Sequence, residues 1–145
     1  MRYGRFDDEA REYIIDNVDT PLPWINYLGT EDFFALISNT AGGYDFFRDA
    51  KLRRITRYRY NGVPADNGSR SYYIASLNDQ GSPECVWSPT FLPSGTPLDS
   101  YVCRHGIGYS VFEASKRGVE STLTAFVPLH THAEANRLDL RNTTD

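Results

Sequence analysis

The stretch Ile107-Gly108-Tyr109-Ser110-Val111-Phe112-Glu113-Ala114-Ser115-Lys116-Arg117-Gly118-Val119-Glu120-Ser121-Thr122-Leu123-Thr124-Ala125-Phe126-Val127 decides the fold. Two runs of β-branched, aromatic and small residues flank the polar segment Glu113 to Gly118. In the second run Val119, Leu123 and Ala125 interleave with Glu120, Thr122 and Thr124. A period of two places alternate side chains on opposite faces of a strand, so this is an antiparallel hairpin with one face in and one out. Ser121 breaks the alternation, because it shares the parity of the apolar residues.

The same pattern recurs outward from the hairpin. Glu12 to Ile15, Phe33 to Ser38, Tyr44 to Phe47, Ser71 to Ala75 and Val86 to Ser88 are short strand candidates between Gly, Pro, Asn and Asp. Arg137-Leu138-Asp139-Leu140-Arg141 alternates cleanly. Helical periodicity is weak; a short helix capped by Thr30 is the one helical expectation. Many short strands with turn signals between them predict an all-β antiparallel β-sandwich. Thr20 to Trp24 reads as an extended connector, and Ser88 to Leu98 as a long Pro- and Gly-rich loop of the kind that often carries function. The last residues, Arg141 to Asp145, read as a strand running into a turn, so the sandwich is expected to be incomplete within residues 1–145.

At 145 residues, 40% of them hydrophobic and 14% aromatic, the chain has the length of one domain and enough apolar content for a packed core. Its formal charge of −4 argues against nucleic-acid binding, which needs a net positive face. The N-terminus lacks the apolar core of a secretory signal, and no apolar run is long enough for a membrane-spanning helix. A cytoplasmic location is the expectation. Cys85 and Cys103 match no zinc or redox spacing and read as two free thiols.

Against that acidic background one segment is basic. Between Arg48 and Arg59 six cations fall within twelve residues, directly after Gly42-Gly43-Tyr44-Asp45-Phe46-Phe47. Guanidinium forks suit carboxylates, phosphates and paired hydroxyls, and aromatic faces suit ring stacking. The segment therefore fits a ligand cleft, a docking contact or a solvated face. Trp24, Tyr27, Tyr44 and Trp87 are aromatic stacking candidates set against a core role. His130 and His132 have no further ligand near them in sequence, and Gly106-Ile107-Gly108 lacks a third Gly and is no dinucleotide fingerprint.

Taken in order, the blocks Tyr3 to Ile15, Pro21 to Thr30, Phe33 to Tyr44, Arg48 to Asn61 and Cys103 to Tyr109 form a set. Together they resemble the cellobiose phosphorylase family, the inverting disaccharide phosphorylases of glycoside hydrolase family 94. Asp45-Phe46-Phe47 departs from the family's expected Ser-Phe-Tyr, Ser69-Arg70-Ser71 replaces a more Gly-rich stretch, and Asn78 to Cys85 is a longer loop. These departures bear on which disaccharide is used.

The resemblance implies that residues 1–145 form the N-terminal part of a β-sandwich domain. The catalytic α/α barrel domain, with its general-acid Asp, lies outside this chain. It implies a homodimer that cleaves a β-linked glucose disaccharide with inorganic phosphate as co-substrate, needs no other cofactor or metal, and releases α-glucose 1-phosphate. No residue here is expected to be catalytic, and the fragment alone is expected to be inactive. Tyr44, Arg48, Arg54, Arg57, Arg59 and Trp24 are the candidates for substrate or interface contacts. A stand-alone carbohydrate-binding β-sandwich module is the alternative.

Overall fold

The computed structural model describes residues 2–56 and 70–144. Within them every regular element is a strand: β1 (Gly4–Asp7), β2 (Glu12–Ile15), β3 (Ile25–Gly29), β4 (Phe33–Ser38), β5 (Gly43–Phe47), β6 (Ile74–Leu77), β7 (Pro83–Trp87), β8 (Ser100–Gly106), β9 (Tyr109–Lys116), β10 (Val119–Phe126) and β11 (Ala135–Asn142). A six-stranded sheet runs β1-β2-β8-β9-β10-β11, a three-stranded sheet β3-β4-β5, and β6 pairs with β7. All of these pairings are antiparallel.

The core lies between the two larger sheets. Ile15, Cys103, Phe112, Leu123 and Ala125 from one meet Leu28, Phe33, Ala35 and Ile37 from the other. Apolar inner faces packed against each other make a sandwich, as the sequence predicts. Cys85 and Cys103 are both free. Burial pushes the Cys103 thiol far above its ordinary range, so it behaves as a small core hydrophobe.

The founding hairpin is tighter than its sequence suggests. β9 runs on to Lys116, which pairs with Val119, leaving a two-residue turn at Arg117 and Gly118. Both turn residues have positive φ, 51° and 79°, as a type I′ turn requires. Glu113 to Lys116 is therefore strand, because this turn's twist matches the strands it joins. Ser121 faces inward, fully buried, and donates its hydroxyl to the Ala114 carbonyl at 3.2 Å. A satisfied serine sits in the core face at little cost, which accounts for the broken alternation.

No helix follows Thr30. The Thr30 amide donates to the Phe33 carbonyl at 2.9 Å and closes the β3–β4 hairpin. The long segment after Trp87 is packed: Ser88, Pro89 and Thr90 are buried together with Trp87, so that loop start and that aromatic serve the interior.

At the far end of the large sheet, Leu138 lies opposite Leu123 and Leu140 opposite Ser121. That register puts both leucines on the core-facing side, yet they are 38% and 54% exposed. The three-stranded sheet leaves this edge of the inner face uncovered.

Candidate functional site

The β4–β5 hairpin and the basic segment after it form the most chemically loaded region. The turn between the strands is buried and closed from within. Ser38 Oγ accepts the amides of Thr40 and Gly42 at 3.2 and 3.0 Å, and the Ser38 amide reaches the Gly42 carbonyl at 2.8 Å. Gly43 has a φ of 142°, and a Cβ there would collide with the Leu36 carbonyl. The second glycine of the Gly42-Gly43 pair is thus required by backbone approach.

Beyond β5 the chain folds back on itself. Asp49 Oδ1 accepts the amides of Lys51 and Leu52 at 2.8 and 2.6 Å, and these bonds hold its carboxyl below the usual range. The Phe47 amide donates to the Arg53 carbonyl and the Ile55 amide to the Asp45 carbonyl, so residues 53–56 run beside β5. Cation–aromatic contacts form on both faces of β5, since Tyr44 and Phe47 differ in parity. Arg54 lies 4.6 Å over the Tyr44 ring and bonds the Ala50 carbonyl through Nε and Nη2. Arg48 lies 4.9 Å from the Phe47 ring centroid, and His132 meets the same ring edge-on at 4.8 Å. Arg48 also forms a two-pronged pair with Asp32, at 2.7 and 2.9 Å, whose hydrogen bond lowers the Asp32 pKa.

Tyr44, Arg48 and Arg54 are therefore brought together on one hairpin. Arg57 and Arg59 lie outside the described residues. Trp24 belongs elsewhere: its ring packs against Tyr3 at 5.8 Å and Tyr13 at 5.6 Å, bridging the two sheets. His130 and His132 stand in the turn before β11, and no group of three or more His, Cys, Asp or Glu positioned for a metal ion occurs among the described residues.

Beneath the hairpin lies a cluster that the sequence does not announce. Buried Arg70 donates Nε to Glu134 Oε1 at 2.6 Å, Nη2 to Glu134 Oε2 and to Asp45 Oδ1, and Nη1 to the Leu36 carbonyl at 3.1 Å. Thr56 Oγ1 donates to Asp45 Oδ2 at 3.1 Å. Two carboxylates thus share one guanidinium away from water. Burial and the neighbouring Glu134 raise Asp45 to about 6. Burial works the same way on Glu134, but its bonds to Arg70 outweigh it and hold the group below its ordinary value. As pH falls, Asp45 is therefore the first of the two to take up a proton. A surface cleft of about 530 Å³ opens over this cluster, walled by Phe33, Ile55, Tyr72 and His132. Burial, with Glu134 nearby, pushes the Tyr72 phenol up to about 12. The sequence carries two hints of the cluster, the departures from the family pattern at Asp45 and at Arg70. Arg70 and Glu134 are isolated in sequence and gain their meaning only from the fold.

A family model described as the supersandwich domain of glycosyl hydrolase 94 matches residues 11–145. The N,N'-diacetylchitobiose phosphorylases of Vibrio furnissii and Vibrio proteolyticus are 39% and 40% identical over the whole chain. The 3-O-beta-D-glucopyranosyl-beta-D-glucuronide phosphorylase of Paenibacillus borealis is 30% identical over 97% of it. The chain spans only 18%, 18% and 16% of these relatives' own lengths. Antiparallel sheets, a core shared between two of them and a match over nearly the full length agree: the chain belongs to the supersandwich domain family of glycosyl hydrolase 94.

Proposed function

We propose that this domain is the N-terminal, non-catalytic part of an inverting phosphorylase of β-linked disaccharides. It packs against a catalytic α/α barrel and a second subunit and shapes the active-site entrance. The observation that carries this reading is the family match over residues 11–145 together with the three relatives at 30–40% identity, each of which is a phosphorylase. Inversion follows from a single displacement, in which an acid in the barrel protonates the leaving oxygen while a nucleophile attacks the opposite face. Phosphate is that nucleophile and is already anionic, so it needs cations to hold it and no base to activate it. Inorganic phosphate is the co-substrate, and no metal takes part.

The Tyr44–Arg54 hairpin is the part of the domain best suited to reach that entrance. It stacks aromatic faces with guanidinium groups, and the exposed Lys51 and Arg53 lie at its tip. Arg57 and Arg59 extend the same basic run. As to the sugar, the relatives at 39% and 40% identity favour N,N'-diacetylchitobiose over the cellobiose read from sequence. The test is phosphorolysis by the full-length protein of the two disaccharides in parallel, with release of sugar 1-phosphate as the readout. Release from N,N'-diacetylchitobiose supports the reading, release from cellobiose alone restores the other substrate, and release from no β-linked disaccharide defeats both.

A further inference from the structure

We propose that the cleft between the β1–β2 turn, β3 and the β8–β9 turn is a second, non-catalytic binding site for a neutral β-linked oligosaccharide. The cleft has a volume of about 570 Å³ and lies at the end of the sandwich where the β1–β2 and β8–β9 turns meet β3. Three large apolar groups on its lining stand open to water, Ile107 at 82% exposure and the rings of Phe6 at 77% and Tyr27 at 67%. Large aromatic rings this open to water are costly to display. Tyr13 meets the Phe6 ring at 4.8 Å in a T-shaped contact and steadies it. The axial hydrogens of a β-linked pyranose form a flat apolar face that matches such a ring, while the equatorial hydroxyls need polar partners at its rim.

Those partners are present. Asp7, Asp8, Arg11 and Glu12 line the same cleft. Carboxylates accept from hydroxyls and a guanidinium donates to an adjacent pair. Several of these groups are already held in place. Glu12 accepts the Tyr109 hydroxyl at 2.7 Å and Arg104 at 3.5 Å, and Asp7 accepts the Ala10 amide at 3.0 Å.

The floor is rigid. Asn26 Nδ2 donates to the carbonyls of Gly106 and Tyr109 at 2.9 Å each, and to Ser110 Oγ at 3.2 Å, bolting the smaller sheet to the larger. In the β8–β9 turn Gly108 adds no side chain, and Ile107 beside it supplies an apolar edge.

Charge selects the ligand class. Asp7, Asp8 and Glu12 outnumber Arg11, so phosphate and other anions are repelled and a neutral polyhydroxylated ligand fits. A protein contact would deplete charge at its centre, whereas here carboxylates stand beside the rings. The site is argued from its own residues. A full-length protein that carries out phosphorolysis without retaining a polysaccharide would defeat this inference alone.

The test is native affinity electrophoresis of the full-length protein in gels containing hydroxyethyl cellulose or glycol chitin. The native protein is expected to be retarded by at least one polymer. Phe6→Ala combined with Tyr27→Ala is expected to weaken that retardation at least tenfold, while Phe6→Trp, which keeps a platform, and Leu129→Ala, on a separate turn, retain it. Melting temperature and sedimentation are recorded for each variant. Absence of retardation in the native protein, equal retardation of the double variant, or a change of its oligomeric state would each overturn the proposal, the last by making the cleft a subunit contact.

Discussion

Arg70 Nε donates to Glu134 Oε1 at 2.6 Å and so joins residues 64 positions apart in the chain. Through the same guanidinium the segment before β11 is tied to β5 at Asp45 and to β4 at the Leu36 carbonyl. The hairpin carrying Tyr44, Arg48 and Arg54 is thereby anchored from below. A loop meant to present ligand-facing groups gains from such anchoring, because precision at its tip depends on rigidity at its base.

Removing the cation from this cluster leaves two buried carboxyl groups without their counter-charge. Arg70→Met is expected to cost about 3–5 kcal/mol, the usual penalty for breaking a buried pair from one side. Urea denaturation of the variant measures it. A loss below about 1 kcal/mol, the range of an exposed pair, would show that the cluster is not buried as described.

Asp45 carries the pH dependence. Its folded value of about 6 lies above the unfolded carboxylate value, so the folded state holds the proton more tightly. The resulting stability is full below the unfolded value and is lost as pH rises through about 6. Asp45→Asn imitates the protonated group. The melting temperature of the variant should exceed that of the native chain at pH 8, and the gap should shrink towards pH 5. A gap that widens on acidification would reverse the assignment of the proton.

His105 is a half-buried bolt between the sheets. Its Nε2–H donates to the Trp24 carbonyl at 3.1 Å, and its Nδ1 lies 2.9 Å from Ser110 Oγ, from which it accepts. Burial lowers its pKa, and the bond to the carbonyl only partly opposes this. Nitrogen NMR should find the Nε2–H tautomer at pH 7, titrating below the ordinary histidine range. Its stabilising contribution is present above the unfolded histidine value and is lost as pH falls through the folded one. A resonance titrating at or above that range would contradict this arrangement.

Two glycines with positive φ separate conformation from space. At Gly43 a Cβ meets the Leu36 backbone, whereas at Gly81, with φ of 76°, nothing lies within 4 Å. Gly81→Ala should cost about 1–2 kcal/mol, the left-handed penalty alone. Gly43→Ala should cost clearly more, because β4 and β5 must move apart. Equal losses in thermal melts of the two variants would refute the close approach.

How much of this was legible in the sequence depends on the range of the interaction. Alternation along Phe33 to Ser38 and Val119 to Val127 is local, and those strands lie where period two puts them. β3 and β8 were missed, since Ile25 to Gly29 and Ser100 to Gly106 interrupt their apolar residues with Asn26, Arg104 and His105. Those polar residues are satisfied across the sheets or on neighbouring strands, which no local pattern reveals. The hairpin grouping of Tyr44, Arg48 and Arg54 followed from their closeness in the chain. For Trp24 the sequence leaves stacking and core roles open, and the fold sets its ring against Tyr3 and Tyr13. The sequence hints at members of the Arg70 cluster but not at their meeting, which comes only once the sheets close.

The central claim, a non-catalytic wall serving a sugar phosphorylase, is tested most directly by measuring sugar 1-phosphate released from N,N'-diacetylchitobiose and inorganic phosphate. The assay compares the full-length protein with residues 1–145 alone. The account predicts product from the full-length protein and none from the domain. Product from residues 1–145 alone, or none from the full-length protein with any β-linked disaccharide, would contradict it.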